Sequence, residues 1–335
     1  MSDDRIALER LSEMEPGTPK PPIGPDTAGP GVAPDARRVR TLYGDAWYRL
    51  RRNRLALVAM GWLVILVVAA LSADLWVPHY FGKPNAIDTT TMSQRHLLPP
   101  SAAHPLGTDD LGRDMFSRVV YGARISLTVG TLAVLVMVGI GLLLGALSGF
   151  YSGWLDALIM RIADVFLAFP YILFAILLLS VLPEQNRTSL VPVVLTIGLL
   201  GWPSIARVFR SSILAVKQND YVDAGRALGA SDTRLILRHI MPNAIAPIVV
   251  YATMSIGGAI LTEAALSFLG LGIIPDPVAN PNAVSWGRMI NDGAMYLTSN
   301  PGIVLWPGLA ILSTVLAFTL LGDGIRDALD VKMKD

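Results

Sequence analysis

Residues 126–150 read SLTVGTLAVLVMVGIGLLLGALSGF, a stretch in which no side chain is charged. A helix of about 20 mostly apolar residues is long enough to cross the hydrocarbon layer of a bilayer. Only 16% of the 335 residues are charged, against roughly 25% in average soluble domains, and the mean hydropathy is +0.51. The sequence therefore predicts a protein that lies mostly in lipid.

Six stretches of the sequence are apolar and long enough to span a membrane. They are residues 55–73, 126–150, 165–183, 188–206, 243–262 and 302–322. Prolines inside the third and fourth stretches are tolerable in lipid, because neighbouring helices can satisfy the freed backbone groups. Recurrent glycines in the second stretch favour close packing against other helices. We predict an all-α membrane protein with six transmembrane helices.

The distribution of basic residues predicts the orientation of these spans. Most of the 27 Lys and Arg residues lie before the first span, after the second, after the fourth and after the sixth. Because cytoplasmic segments carry an excess of Lys and Arg, the N and C termini are both predicted to be cytoplasmic.

Three regions follow from composition. Residues 1–40 are rich in Pro, Gly, Asp and Glu, which predicts a disordered cytoplasmic tail. Residues 41–54 form a basic cytoplasmic helix that leads into the first span. Residues 55–335 form the six-span domain, with a long cytoplasmic loop at 207–242.

The cytoplasmic loop carries the most informative motif, YVDAGRALGAS at residues 221–231. Asn219 and Ser231 are good N-cap residues, so the loop is predicted to form two short helices, the second over residues 232–240. Small residues between the helices leave a surface to which another protein can come close. A basic amphipathic loop lying on anionic lipid headgroups is the alternative, which composition alone leaves open.

This loop resembles the EAA motif of ABC importer permeases, in which Glu-Ala-Ala is followed by three residues and Gly, and then after nine residues by Ile-x-Leu-Pro. Asp223, Ala224 and Gly225 stand at the Glu-Ala-Ala positions, Gly229 at the glycine and Pro242 at the proline. The departures are Asp for Glu, Gly for the second Ala, and His and Met at the Ile and Leu positions.

Other stretches resemble the dipeptide/oligopeptide/nickel branch of the same family. They are GRALGASD at 225–232, LRHIMPN at 237–243, and further motifs at 45–58, 104–127, 261–272 and 285–290. From about residue 41 to its end, the chain is similar to the second, C-type permease subunit of that branch.

The resemblance implies a type I ABC importer permease fold, in the cytoplasmic (inner) membrane of a prokaryote. It implies a non-catalytic role in uptake of a small solute by alternating access, with a di- or oligopeptide as the first expectation. The implied partners are a second homologous permease, two P-loop ATPases, an extracytoplasmic solute-binding protein and membrane lipids. The implied ATPase-docking residues are Tyr221, Asp223, Ala224, Gly225, Ala227, Leu228, Gly229 and Ser231.

Nothing in the sequence predicts a cofactor bound by this chain. A P-loop requires G-x-x-x-x-G-K-[ST], but Lys83 is the only lysine that follows a glycine, and Pro84 follows it. ATP and Mg²⁺ are therefore expected on the partner ATPases. The absence of cysteine excludes Cys-based metal sites, and a pI of about 8.0 disfavours nucleic-acid binding.

Residues 108–124 predict an interfacial helix on the outer face, capped by Thr108 or Asp109. Asp109, Asp110 and Asp114 cluster at its start. No metal site is predicted there, because hard cations need about six oxygen ligands.

Glu263 interrupts the apolar run of the fifth span. Ionisable groups inside a span are costly, so Glu263 is predicted either to contact substrate or to form a polar joint between helices. Arg161 and Asp164 are predicted to pair with each other at i, i+3 spacing.

Two other classes of function remain open. A secondary transporter or channel would move its solute without ATP, but such proteins often carry several ionisable residues in mid-membrane, and Glu263 is the one candidate here. A non-transporting membrane scaffold would explain a docking loop but not the glycine-rich, proline-broken spans.

Overall fold

The computed structural model describes residues 42–85, 96–183, 186, 188–276 and 280–329. The predicted tail, residues 1–40, lies outside these ranges. The described residues form the helices α1 Leu42–Leu50, α2 Arg54–Tyr80, α3 Met115–Tyr151, α4 Gly153–Ala168, α5 Tyr171–Ser180, α6 Val191–Lys217, α7 Asp220–Ala227, α8 Asp232–Leu235, α9 Met241–Ala244, α10 Ala246–Phe268, α11 Trp286–Gly293 and α12 Gly302–Leu329.

Five of these helices, α2, α3, α6, α10 and α12, are long and apolar enough to cross a membrane. Helices α4 and α5 meet the same criterion only as a pair, so the number of spans is five, or six if the pair is one broken span. The all-α prediction is confirmed within the described residues, and the predicted count of six requires the broken pair.

The third predicted span, residues 165–183, is not one straight helix. Helices α4 and α5 meet at an angle of 86°. Pro170 causes this break, because it has no N–H to donate and its ring disfavours the helical region for the preceding residue. Phe169 accordingly has an extended conformation, with φ −89° and ψ 139°. The predicted span therefore contains its proline at a break between two helices.

Helix α3 is the centre of the bundle and packs along α6 through its glycines. A Cβ atom at Gly145 would lie 2.7 Å from the Ala206 carbonyl oxygen, and one at Gly149 would lie 2.8 Å from Cβ of Ile213. The backbones can therefore approach as they do only because these positions lack side chains. The predicted role of the second span in helix packing is confirmed.

Two predicted boundaries differ from the structure. The interfacial helix predicted over 108–124 is the first part of α3, whose N-cap is Asp114; the Asp114 carboxylate accepts a hydrogen bond from the Ser117 N–H. Helix α10 runs through Glu263 and ends at Phe268, so it extends beyond the predicted end of the fifth span at residue 262.

Candidate functional site

The loop between α6 and α10 contains the two predicted short helices. Helix α7 begins after Asn219, which stands at its N-cap position. Asp220 and Asp223 lie in its first turn and Arg226 in its last, an arrangement that the helix dipole favours at both ends. Ser231 stands at the N-cap position of α8, as predicted.

A glycine elbow separates the two helices. Gly229 has φ +78°, a left-handed conformation that side chains other than glycine rarely adopt. Its N–H donates to the Arg226 carbonyl at 2.9 Å, and the Ala230 N–H donates to the Gly225 carbonyl at 3.1 Å. These bonds satisfy the Arg226 and Gly225 carbonyls at the end of α7, where the chain reverses.

The inner side of the loop is anchored in the main apolar core. Val222 and Leu235 are fully buried and pack with Phe209 and Ile213 of α6 in one cluster. A Cβ atom at Gly225 would lie 2.9 Å from Cδ2 of Leu235, so the missing side chain lets α7 approach α8 closely. Helix α7 is thereby packed directly against α6 and α8.

The second helix continues differently from the prediction. After α8 the chain forms a π-helical turn, Ile236–Ile240, and then α9. Pro242 lies in the first turn of α9, where its missing N–H costs little, so it does not end the helical segment as expected.

The outer side of the loop presents the predicted docking residues. Gly225 is partly buried, and the other predicted residues are exposed: Tyr221, Asp223, Ala224, Ala227, Leu228, Gly229 and Ser231. Leu228 is the extreme case, with 89% of its surface accessible. An apolar side chain this exposed beside small residues forms a surface suited to contact with another protein.

A contact that the sequence reading missed joins this loop to the end of α3. The Lys217 ammonium donates to the Phe150 carbonyl oxygen at 2.5 Å and lies 5.4 Å from the centre of the Phe150 ring. The Arg226 guanidinium of α7 lies 6.0 Å from the same ring. Phe150 and Lys217 are 67 positions apart in sequence, so no local pattern signals this contact.

Ion pairs also connect α4, the first helix of the broken pair, to α6. Asp156 accepts two hydrogen bonds from Arg210, from Nε and Nη2, each at 2.6 Å, which is the strong bidentate geometry. Asp164 pairs with Arg207 of α6. The predicted pairing of Asp164 with Arg161 is therefore wrong, because a guanidinium on the neighbouring helix takes that carboxylate.

At the other end of α3, the acidic cluster is part of a charge network. Asp109 accepts from Arg113 at 2.7 Å and lies 3.3 Å from Arg118. Arg118 in turn donates to Asp292 of α11 at 3.0 Å. Asp114 contacts His104 at 2.8 Å. These basic partners neutralise the carboxylates; among the described residues no cluster of three or more His, Asp or Glu side chains has the geometry of a metal site.

Burial raises the pKa of the Asp114 carboxyl above its usual range, while hydrogen bonds from the Ser117 N–H and from His104 act in the opposite direction. The network fixes the loop before α3 against the segment that contains α11, so this end of the bundle is held by charges rather than by apolar packing alone.

Glu263 belongs to α10, its side chain contacts α3, and the residue is 1% exposed. Its carboxylate accepts hydrogen bonds from the Ser126 hydroxyl at 3.0 Å and from the Ser267 hydroxyl at 2.6 Å. No part of the side chain is directed to a surface that a solute could reach. This geometry favours the polar joint over the substrate contact.

We expect Glu263→Ala to lower the stability of the protein in detergent by about 2–4 kcal/mol, since it leaves two buried hydroxyls without their acceptor and opens a cavity. Glu263→Gln keeps an accepting oxygen and should cost about 1 kcal/mol. Thermal unfolding of the purified variants measures both. If Glu263→Gln unfolds like the wild type yet transports nothing, the carboxylate contacts the solute and the joint is the wrong assignment.

Comparison with known proteins places this fold and loop in one class. Residues 141–335 match the model of the "Binding-protein-dependent transport system inner membrane component" family, and residues 41–100 match that of the "N-terminal TM domain of oligopeptide transport permease C". Together with the fold, these matches define an ABC importer permease. The chain belongs to the family of binding-protein-dependent transport system inner membrane components, in its peptide/oligopeptide branch.

Curated relatives agree over nearly the whole length. The chain is 41% identical over 298 residues to the glutathione transport system permease protein GsiD of Pectobacterium atrosepticum, covering 89% of this chain and 94% of the relative. It is 43% identical over 307 residues to GsiD of an Escherichia coli strain and to GsiD of Shigella boydii. Each of these matches covers 92% of this chain and 95% of the relative.

A solved structure shares the fold. A chain of the MetNI methionine ABC transporter, in inward-facing conformations, matches with a TM-score of 0.52 and 18% identity, over 64% of this chain and 98% of that one. The type I ABC importer permease fold is confirmed by this match. The chain is a non-catalytic permease subunit of the inner membrane, and its family implies ATPase and binding-protein partners.

Proposed function

We propose that the chain pairs with a second homologous permease, two P-loop ATPases and an extracytoplasmic binding protein, and that this complex imports a di- or oligopeptide by alternating access. The relatives named glutathione transport permeases support a short peptide as the solute, since glutathione is a tripeptide. In this proposal the termini and the loop between α6 and α10 face the cytoplasm, and the lipid bilayer surrounds the spans.

The observation that carries the proposal is the exposed outer surface of α7 and its elbow above a buried inner anchor. Leu228 faces outward, whereas Val222 and Leu235 lie in the core. An ATPase bound to the outer surface would displace α7 as it closes on ATP, and the anchor would pass this displacement to α6. The contact of Lys217 with Phe150 would extend it to the end of α3. The spans would then alternate between two packed arrangements.

This chain contributes part of the transport pathway and transmits movement from the ATPases, but it carries out no chemical reaction. ATP and Mg²⁺ are held by the partner ATPases, since this sequence contains no P-loop. No bond of the solute is made or broken. The solute is delivered by the binding protein and enters a pathway that this chain forms together with the second permease.

Uptake by the reconstituted complex tests the proposal. We expect proteoliposomes that contain the co-purified complex to accumulate trialanine or glutathione when ATP is enclosed with the ATPases and loaded binding protein is on the other side. Omitting ATP, or replacing it with a non-hydrolysable analogue, should remove the accumulation. Accumulation that persists without ATP and follows an imposed proton or sodium gradient would contradict the proposal and favour a secondary transporter.

A further inference from the structure

A cavity of about 680 Å³ lies near the end of α3 that is opposite the loop between α6 and α10. Asp74 of α2 and Tyr121, Arg124 and Thr128 of α3 form one wall. The start of α6 and residues 280–283 form the other. Pockets for small ligands are typically about 300–1,000 Å³, so a di- or tripeptide is of suitable size.

The charged side chains on the first wall are held in fixed positions. The Tyr121 hydroxyl donates to Asp74 Oδ1 at 2.7 Å, and Arg124 Nη1 donates to Asp74 Oδ2 at 2.9 Å. Arg124 Nε and Nη2 also donate to the Ala70 carbonyl oxygen, at 3.0 and 2.8 Å. Neither charged group needs to be reorganised in order to meet a ligand.

The exposed fractions of the Asp74 and Arg124 side chains show which of the two charges faces the cavity. The Asp74 side chain is 56% exposed, whereas the Arg124 side chain is 34% exposed and has most of its N–H groups committed to α2. A carboxylate accepts up to about four hydrogen bonds, and Asp74 accepts two from these partners. The remaining acceptor positions suit an ammonium group.

We propose that this cavity is a solute subsite of the transport pathway, in which Asp74 receives the amino-terminal ammonium of a short peptide. The inference rests on the function proposed above, because it deepens that function from a class of solute to the group that is recognised. Asp74 directly follows the first predicted apolar stretch and Arg124 lies two residues before the second, and the pair that they form lines a cavity of ligand size. Thr128, which also lines the cavity, would contact the peptide beside Asp74.

Uptake of a matched pair of peptides tests the subsite. Proteoliposomes with the whole complex are given trialanine or N-acetyl-trialanine with the same binding protein, so that the delivery step is common to every variant. Asp74→Asn keeps the shape and removes the charge; its one amide oxygen can accept from Tyr121 or from Arg124, but not from both. We expect it to lower the preference for trialanine over the acetylated peptide about tenfold, as loss of a charge-assisted hydrogen bond does.

A second variant blocks the cavity without touching the ion pair. Thr128→Trp should lower uptake of trialanine at least about tenfold while the complex still assembles, because the indole fills the space next to Asp74. Leu135→Trp is the matched control, since Leu135 is an exposed residue of α3 that does not line the cavity, and it should leave uptake unchanged.

The outcomes separate this inference from the function on which it rests. A wild-type complex that imports neither peptide with ATP overturns the proposed function itself. A wild-type complex that imports trialanine, with an Asp74→Asn variant that loses both peptides equally or neither, overturns the subsite. In that case the pair of Asp74 and Arg124 only fastens α2 to α3.

Discussion

Replacing Leu228 with glutamine is expected to lower ATP-driven uptake at least about tenfold, with little change in the stability of the permease. The Leu228 side chain is 89% exposed, so the substitution disturbs no packing within the chain. In a docked complex the same side chain would be buried against the ATPase, and an unpaired amide there costs binding energy of the size found at interface hot spots, about 2 kcal/mol. Co-purification of the ATPase and uptake in proteoliposomes measure the effect.

A matched control uses a residue of similar exposure outside the loop. Met295, in the segment between α11 and α12, is 85% exposed, and Met295→Gln should leave ATPase co-purification at the wild-type level. If Leu228→Gln retains both the ATPase and uptake, the outer surface of α7 is not the docking surface. Binding of that variant to anionic vesicles would then test whether the loop lies on lipid headgroups instead.

Replacing Gly145 with leucine is expected to destabilise the packing of α3 against α6 severely. A Cβ atom at this position would lie 2.7 Å from the Ala206 carbonyl oxygen and 3.1 Å from Cβ of Phe209, both on α6. The contact with Ala206 is with backbone, which cannot move without separating α3 from α6, and overpacking of this kind costs about 1–3 kcal/mol or more. The yield of monodisperse protein after extraction should fall severely.

The same helix offers the control for this variant. Gly139 is exposed, and a Cβ atom there would have nothing within 4 Å outside its own turn of helix. Gly139→Leu should therefore be tolerated, with a yield and a melting temperature close to those of the wild type. Equal losses in the two variants would mean that bulk on α3 is harmful in general and that close approach at Gly145 is not the cause.

The locations of five spans could be predicted from sequence because the bilayer imposes a length and a composition on any segment that crosses it; the sixth depends on counting α4 and α5 as one broken span. The elbow of the loop between α6 and α10 was also predictable. Asn219 and Ser231 stand at the N-cap positions of α7 and α8, although neither side chain forms a capping hydrogen bond, and Gly229 has the left-handed conformation at the elbow; these residue types indicate where helices begin and reverse.

Two helix boundaries could not be predicted, because several residues nearby in sequence were equally suited to begin or end a helix. Thr108, Asp109 and Asp114 are all good N-cap residues, and the fold selects Asp114, whose carboxylate meets the first turn of α3. Pro170 is compatible with either a kinked span or a break, and here it separates two helices at 86°.

Contacts between distant segments left no trace in the sequence. Arg210 donates to Asp156, 54 positions away in sequence. The Glu263 carboxylate accepts a hydrogen bond from the Ser126 hydroxyl, 137 positions away. Arg161, three residues before Asp164, was the predicted partner of its carboxylate, but Asp164 forms an ion pair with Arg207 on the adjacent helix α6. Charge pairing in this protein is set by helix packing rather than by spacing along the chain.

Affinity purification of the tagged chain from its own membranes in mild detergent, with mass spectrometry of the proteins that accompany it, tests the central claim most directly. The account predicts a second six-span permease and P-loop ATPases in stable proportion to the tagged chain, with the ATPases lost in Leu228→Gln. Recovery of the tagged chain alone or as a homo-oligomer, without an ATPase even after cross-linking, would contradict it.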